Sequence, residues 1–174
     1  KAKYLTTQAK DHPIEYIHNE IGYNYRLSNL LAAVGCAQME QLDSYIIKKQ
    51  QIGTTYNVKL TNVPGVTGMP EALWAKSVYW MYTTLINESE FGMDSRTLLT
   101  KLAGHNIQAR PLWQPMHLSN AHFGSQSVLN GNSERLYSQA ISLPCSVGLS
   151  SVDQERVINT IRRLSEKTSG KSQV

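Results

Sequence analysis

Cysteine is scarce: Cys36 and Cys145 are the only two, far apart and without a metal-type spacing. A disulfide framework or a zinc site is therefore disfavoured, no metal is expected, and a reducing cytoplasm is the simplest setting. Charge is also sparse, at 17% of residues, and the formal excess of +4 is scattered along the chain. The densest basic stretch is Arg162, Arg163, Lys167 and Lys171 at the end. Aromatic residues are not interleaved with these, which argues against a nucleic-acid surface. Positive charge there suits a helix C-terminus, where it complements the dipole. No apolar run reaches the roughly 18 residues of a membrane span, so no membrane partner is expected. The start, Lys1-Ala2-Lys3-Tyr4-Leu5, lacks the apolar centre of a signal peptide. It reads as a chain entered partway through a helix. Internal repeats and low-complexity tracts are missing too.

What is present suffices for a core. The 174 residues are 41% apolar, enough for one domain, or one domain with a partly independent arm. The stretch to Gly22 is polar, with little periodicity, and reads as a short helix remnant followed by loop. From Leu27 the pattern turns helical: Leu27, Leu31, Val34, Leu42, Tyr45, Ile52, Tyr56 and Leu60 recur, with a lapse at Gln38. This predicts a helix of roughly thirty residues, bent near Gly53. Such a helix suits a connector between domains or a subunit contact, and Ala32, Ala33, Gly35, Cys36 and Ala37 would let another backbone approach. Asn62-Val63-Pro64-Gly65 is a turn signal.

Beyond the turn, Ser77 to Asn87 reads as a strand with Val78, Trp80, Tyr82, Thr84 and Ile86 on one face. Asp94 is placed to cap a helix running to Leu102, with Gly104 as its stop. Asn106 to Arg110 is a short candidate strand ended by Pro111, and helix signals follow from Ser133 to Ala140. Ser151 with Gln154 makes a capping box for a last helix whose apolar face is Val157, Ile158, Ile161 and Leu164. The expected fold is α+β: a long N-terminal connecting helix, then a small sheet packed with helices. The domain boundary is expected at residue 62, giving segments 1–62 and 63–174.

Gly22-Tyr23-Asn24-Tyr25-Arg26-Leu27-Ser28-Asn29-Leu30-Leu31-Ala32-Ala33-Val34-Gly35 resembles a hallmark of the DegT/DnrJ/EryC1/StrS sugar aminotransferases. These are fold-type I, pyridoxal phosphate (PLP)-dependent enzymes acting on nucleotide-linked keto sugars. A match to Tyr-Asn-Tyr-Arg arises by chance about once in a thousand chains of this length at average residue usage. Tyr79-Trp80-Met81-Tyr82, Ile107 with Arg110-Pro111-Leu112-Trp113 and Pro115-Met116-His117, and Leu143-Pro144-Cys145-Ser146 follow in the family's order. The resemblance implies the small C-terminal domain of such an enzyme. It also implies a missing part. The family carries PLP as a Schiff base on a lysine in the large domain, ahead of a glycine-rich strand, and Lys1, Lys3 and Lys10 have no such strand after them. No catalytic residue is therefore assigned, and this chain alone is expected to hold no cofactor and not to transaminate.

By resemblance, Asn24 and Arg26 approach the PLP phosphate of the other subunit across a dimer, an amide and a guanidinium both suiting phosphate oxygens. Read without the resemblance, Asn24 caps the long helix and Arg26 sits in solvent. Arg110, Trp113 and His117 lie in a proline-bounded loop that, by the same resemblance, borders the sugar-nucleotide pocket; a plain surface loop with Trp113 tucked inward is the alternative. His12 and His18 read as ordinary surface histidines and Cys145 as a buried structural thiol. Exposed apolar residues on the long helix, including Leu30, Leu31, Val34 and Ile46, predict a homo-oligomer, or a complementing aminotransferase chain as partner. A stand-alone interaction module, or one half of a split enzyme, is the competing reading.

Overall fold

In the computed structural model, which describes residues 1–169, the chain forms two compact units, Lys1–Asp43 and the chain from Ser44 on. The first unit begins with helix α1, Ala2–Thr6, followed by an irregular segment. Helix α2, Asn29–Leu60, runs uninterrupted for 32 residues and crosses from one unit into the other. Ser28 is its cap: its hydroxyl accepts from the Leu31 N–H at 3.3 Å and its carbonyl from the Ala32 N–H at 2.9 Å. The alternative that Asn24 caps this helix is thereby corrected, because Asn24 lies a full turn too early.

Only the C-terminal half of α2 is packed. Ile52, Tyr56 and Leu60, spaced at one helical turn, are buried, while Leu30, Leu31, Val34 and Met39 are exposed and Ile46 is half-buried. This is why the second unit begins inside the helix, whereas the sequence pattern suggested a boundary at its end. Gly53 marks a close contact in an unbroken helix: a Cβ there would lie 2.5 Å from Cγ of the Tyr79 ring. The turn at Asn62–Gly65 forms as expected, with Gly65 at φ +72°.

The second unit is a four-stranded antiparallel sheet flanked by helices. Its strands are β1 (Val66–Thr67), β2 (Tyr82–Ile86), β3 (Arg110–Pro111) and β4 (Ala140–Leu143), in the order β1-β2-β4-β3. Between and after them lie α3 (Glu88–Phe91), α4 (Ser95–Gly104), α5 (Asn132–Gln139) and α6 (Ser151–Ser169). Tyr82 pairs with Leu143 and Leu85 with Ala140. Tyr82, Thr84 and Ile86 are buried on one face, as their alternation demands. The predicted first half of that strand is absent: Tyr79 adopts φ +44°, which breaks the extended backbone, and Val78 and Trp80 turn to solvent.

β4 was not visible as a strand in the sequence, yet it is central and all four of its residues are buried. The candidate strand at 106–110 shrinks to Arg110–Pro111. Pro111 belongs to it, opposite Ile141, which is tolerable because β3 is an edge strand. Asp94 caps α4 as expected, accepting from the N–H groups of Arg96 and Thr97. Gly104 ends that helix, but the left-handed residue beyond it is Asn106, at φ +56°.

α6 is capped one residue earlier than its capping-box pattern indicated. The Ser150 hydroxyl accepts from the Asp153 N–H at 3.0 Å, while Gln154 is buried and donates from Nε2 to the Ile52 carbonyl at 2.8 Å. The core joins Ile52, Tyr56 and Leu60 with Phe91, Leu98, Leu102, Ile141, Val157, Ile158 and Ile161. Arg162 serves the end of α2, donating to the Lys59 carbonyl at 2.6 Å, and Lys59 pairs with Glu155. Lys171 lies outside the described residues.

Candidate functional site

In the first unit the Tyr23–Arg26 loop is laid against the end of α1 by backbone pairing. The Tyr23 N–H donates to Leu5 O at 2.7 Å, the Gln8 N–H to Tyr23 O at 3.0 Å and the Tyr25 N–H to Thr6 O at 3.0 Å. The approach is tight enough to need glycine, since a Cβ on Gly22 would lie 2.3 Å from the backbone of Gln8 and Ala9. Gln8 and Ala9 are themselves left-handed, at φ +71° and +47°, and the surrounding hydrogen bonds hold that strain. Tyr23 and Tyr25 stack at 5.6 Å. Side chains alternate along an extended segment, so Asn24 and Arg26 fall on the opposite side, both exposed. An amide and a guanidinium, on backbone fixed at both neighbours, present hydrogen-bond donors suited to an anion.

The segment between α1 and this loop is tied together internally. Asp11 accepts from the Asn19 N–H at 2.7 Å and the Tyr4 hydroxyl at 2.8 Å. The Asn19 bond, then the Tyr4 bond, hold its carboxyl below the ordinary range, and the same contact pushes the Tyr4 phenol up to about 12. His12 Nδ1 accepts from the N–H groups of Ile14 and Glu15, and His18 Nδ1 lies 2.8 Å from Gln8 O. Both histidines are thus used within the loop, and no cluster suited to a metal occurs among the described residues.

In the second unit Trp113 is not tucked inward. It stacks on Trp80 with centroids 6.0 Å apart and planes 6° from parallel, and both rings are mostly exposed, 65% and 71%. This is a flat aromatic surface built from residues 33 positions apart. The Trp80 backbone is anchored from below: Lys49, half-buried on α2, donates from Nζ to Trp80 O at 2.7 Å and to Cys145 O at 2.6 Å. Cys145 is half-buried, not fully buried, and its sulfur accepts from the Tyr82 N–H and from Lys49 Nζ, each at 3.3 Å.

His117 Nε2 meets Glu134 Oε1 at 2.8 Å, which ties the loop to the start of α5. The Glu134 carboxyl sits below its ordinary range, chiefly through its own backbone N–H, then the Ser133 hydroxyl and His117. Beside His117 an open pocket of about 320 Å³ is lined by Met116, His122, Gln126, Val128 and Leu129. Arg110 is exposed on the edge strand β3, its backbone paired opposite Ser142. Trp80, Lys49 and Glu134 carry no local signal. Trp80 sits in a pattern that reads as a strand face, and the other two act through contacts across long sequence separations.

The comparisons with known proteins point one way. EpsN of Bacillus subtilis, provisionally named a pyridoxal phosphate-dependent aminotransferase, is 38% identical over 168 residues, covering 94% of this chain and 42% of EpsN. The GDP-perosamine synthase of Caulobacter vibrioides is 29% identical over 161 residues, covering 91% of this chain and 43% of the synthase. The aminotransferase TlmJ of Streptoalloteichus hindustanus shares the fold, with a TM-score of 0.85 at 21% identity over 97% of this chain and 44% of TlmJ. The chain therefore spans under half the length of these relatives. The match to the model of the DegT/DnrJ/EryC1/StrS aminotransferase family runs over residues 1–162, and the chain belongs to that family.

Proposed function

We propose that these 174 residues are the C-terminal part of the machinery of a PLP-dependent transamination of a nucleotide-linked keto sugar, and that alone they do not catalyse it. The observation that carries the substrate class is the exposed Trp80–Trp113 surface, whose Trp113 lies in the segment between Arg110 and His117. A flat aromatic pair suits a nucleobase or a sugar face, and a guanidinium suits a diphosphate. Arg110, Trp113 and His117 are assigned to the nucleotide sugar. Asn24 and Arg26 are assigned to the cofactor phosphate of another subunit, in keeping with the family resemblance.

The residues of this chain fit only the phosphate end of PLP. Asn24 and Arg26 offer exposed donors. Lys49, the half-buried lysine beside the Trp80 loop, is turned to the carbonyls of Trp80 and Cys145 and to the Cys145 sulfur, and is not assigned to the cofactor. PLP, when bound, supplies the ring that draws electrons from the amine-bearing carbon. Here the chain's own contribution is to bind and orient.

The exposed Leu30, Leu31, Val34 and Met39 along α2 support a partner there. That partner is assigned as a second copy or a complementing aminotransferase chain, and a monodisperse monomer at micromolar concentration by light scattering would contradict it. The same apolar surface keeps a second reading in view, a purely oligomerising module. A titration with nucleoside diphosphates, followed by tryptophan fluorescence, separates the two. Quenching that saturates in wild type and weakens about tenfold or more in Trp113→Ala and Arg110→Ala is expected, whereas no response at millimolar ligand favours the module. With PLP and borohydride, only scattered, substoichiometric labelling of surface lysines is expected. Stoichiometric labelling of one lysine would overturn the claim that the chain alone is not competent.

A further inference from the structure

Cys145 and Lys49 form a pairing that neither the aromatic surface nor the Tyr-Asn-Tyr-Arg loop uses. Their sequence separation is 96 residues, yet Nζ lies 3.3 Å from Sγ. Lys49 is held in place by the carbonyls of Trp80 and Cys145, at 2.7 and 2.6 Å, so little freedom remains to be lost on reaction. The sulfur is fixed as well, by the Tyr82 N–H at 3.3 Å, and the thiol faces Trp80 O at 3.7 Å. Cys145 is half-buried and lines an open cavity of about 450 Å³ together with Asn106, Gln108, Ser146 and Arg156, wide enough to admit a small oxidant. Cys36, by contrast, is simply exposed on the helix surface.

We propose that Cys145 is a site of oxidative modification, at which peroxide makes a sulfenic acid that Lys49 then captures as a covalent lysine–cysteine cross-link. In the first step the sulfur attacks one peroxide oxygen and the O–O bond breaks. The thiol becomes Cys–SOH and the second oxygen leaves as water, the sulfur giving up two electrons to the peroxide. In the second step Lys49 first gives one ammonium proton to solvent, and the lone pair freed on Nζ attacks the sulfur, so that an N–S bond forms and the S–O bond breaks. The departing hydroxide takes a second proton from the nitrogen to become water. The product is Cys–S–NH–Lys, two hydrogens lighter than the thiol and neutral amine together. Heavy atoms held at 3–3.5 Å are within the range of a near-attack arrangement, and a nitrogen nucleophile closing on a sulfenic acid is established sulfur chemistry.

The link would join α2 to the turn ahead of α6. The nitrogen would keep one hydrogen of three, so at most one of the two carbonyl bonds survives and the hold on Trp80 loosens.

The test uses the full chain carrying Cys36→Ser, treated with stoichiometric hydrogen peroxide and read by intact mass and tryptic mapping. The expected result is a loss of two hydrogens, resistance to trypsin after Lys49, and a joined Lys49–Cys145 peptide that a thiol reductant separates. Lys49→Arg keeps a positive donor without the amine. There Cys145 is expected to stop one oxygen heavier, as a sulfenic acid that dimedone labels. A wild type in which Cys145 stays a thiol, or proceeds to sulfinic acid while Lys49 remains cleavable, overturns the proposal. Should Lys49→Arg fail to fold, the wild-type peptide map alone still decides.

Discussion

Gly53 and Gly35 lie on the same helix, and alanine should act on them with opposite sign. Alanine relieves the glycine penalty inside a helix, a gain of about 1 kcal/mol at either site. At Gly35 nothing lies within 4 Å of the added Cβ. At Gly53 the new Cβ would sit 2.5, 2.6 and 2.7 Å from Cγ, Cδ1 and Cδ2 of Tyr79. That ring cannot swing aside. It is 5% exposed, it stacks with Tyr82 at 6.2 Å, and its hydroxyl accepts from Asn57 Nδ2 at 3.3 Å. Relief must come from moving α2 away from the residue 79 backbone, and overpacking of that kind costs about 1–3 kcal/mol. Gly53→Ala should therefore be destabilising by about 1 kcal/mol net, and Gly35→Ala neutral to stabilising by up to about 1 kcal/mol. Urea unfolding followed by circular dichroism measures both, with an unchanged m-value as the check that the denatured state is comparable. In a Tyr79→Gly background the ring is gone, so Gly53→Ala should become a gain, a coupling that a double-mutant cycle isolates. Gly53→Ala as stable as wild type, or no coupling to residue 79, would refute the reasoning.

Two further predictions concern the second unit. Hydrogen bonds from the Thr97 N–H and hydroxyl hold the Asp94 carboxyl below its ordinary value. Since the folded value is the lower one, this stabilisation is complete above the ordinary carboxylate range and is lost as pH falls through the folded value. Asp94→Ala should lose about 1 kcal/mol at neutral pH. Asp94→Asn keeps an acceptor, so its stability relative to wild type should improve as the solution is acidified, and a difference that does not change with pH would contradict the cap. Gln154→Ala removes a buried side chain and its bond to Ile52 O, for a loss of about 1–2 kcal/mol. Gln154→Leu refills the space, and the Ile52 carbonyl still serves its helix, so thermal melting should show most of that loss recovered.

Much of the architecture could be read from local signals, because those signals act within a turn or two of the chain. Asp94 before α4 and the Asn62–Gly65 turn were legible for that reason. The long helix was legible from its repeat, though not which of its stripes is packed: Leu31 and Val34 fit the period as well as Tyr56 and Leu60, and only the latter pair meets a core. The candidate site residues come from the motifs Tyr23–Arg26 and Arg110–His117, since resemblance preserves residue types and order. Their geometry was not.

What the sequence determined by itself is the family, the longer helical segments and the chemistry available to each loop. Tertiary structure decided what depends on distant partners. Ala140–Leu143 is too short to announce a strand, and becomes the sheet's second-from-edge member through neighbours on both sides. Tyr79 gives up extended geometry to fill the space above Gly53. That bend turns Trp80 outward to meet Trp113, and it brings the Trp80 carbonyl to Lys49 and so to Cys145. Each of these contacts spans tens of residues, and its energy comes from burial and hydrogen bonds that exist only once the core has closed.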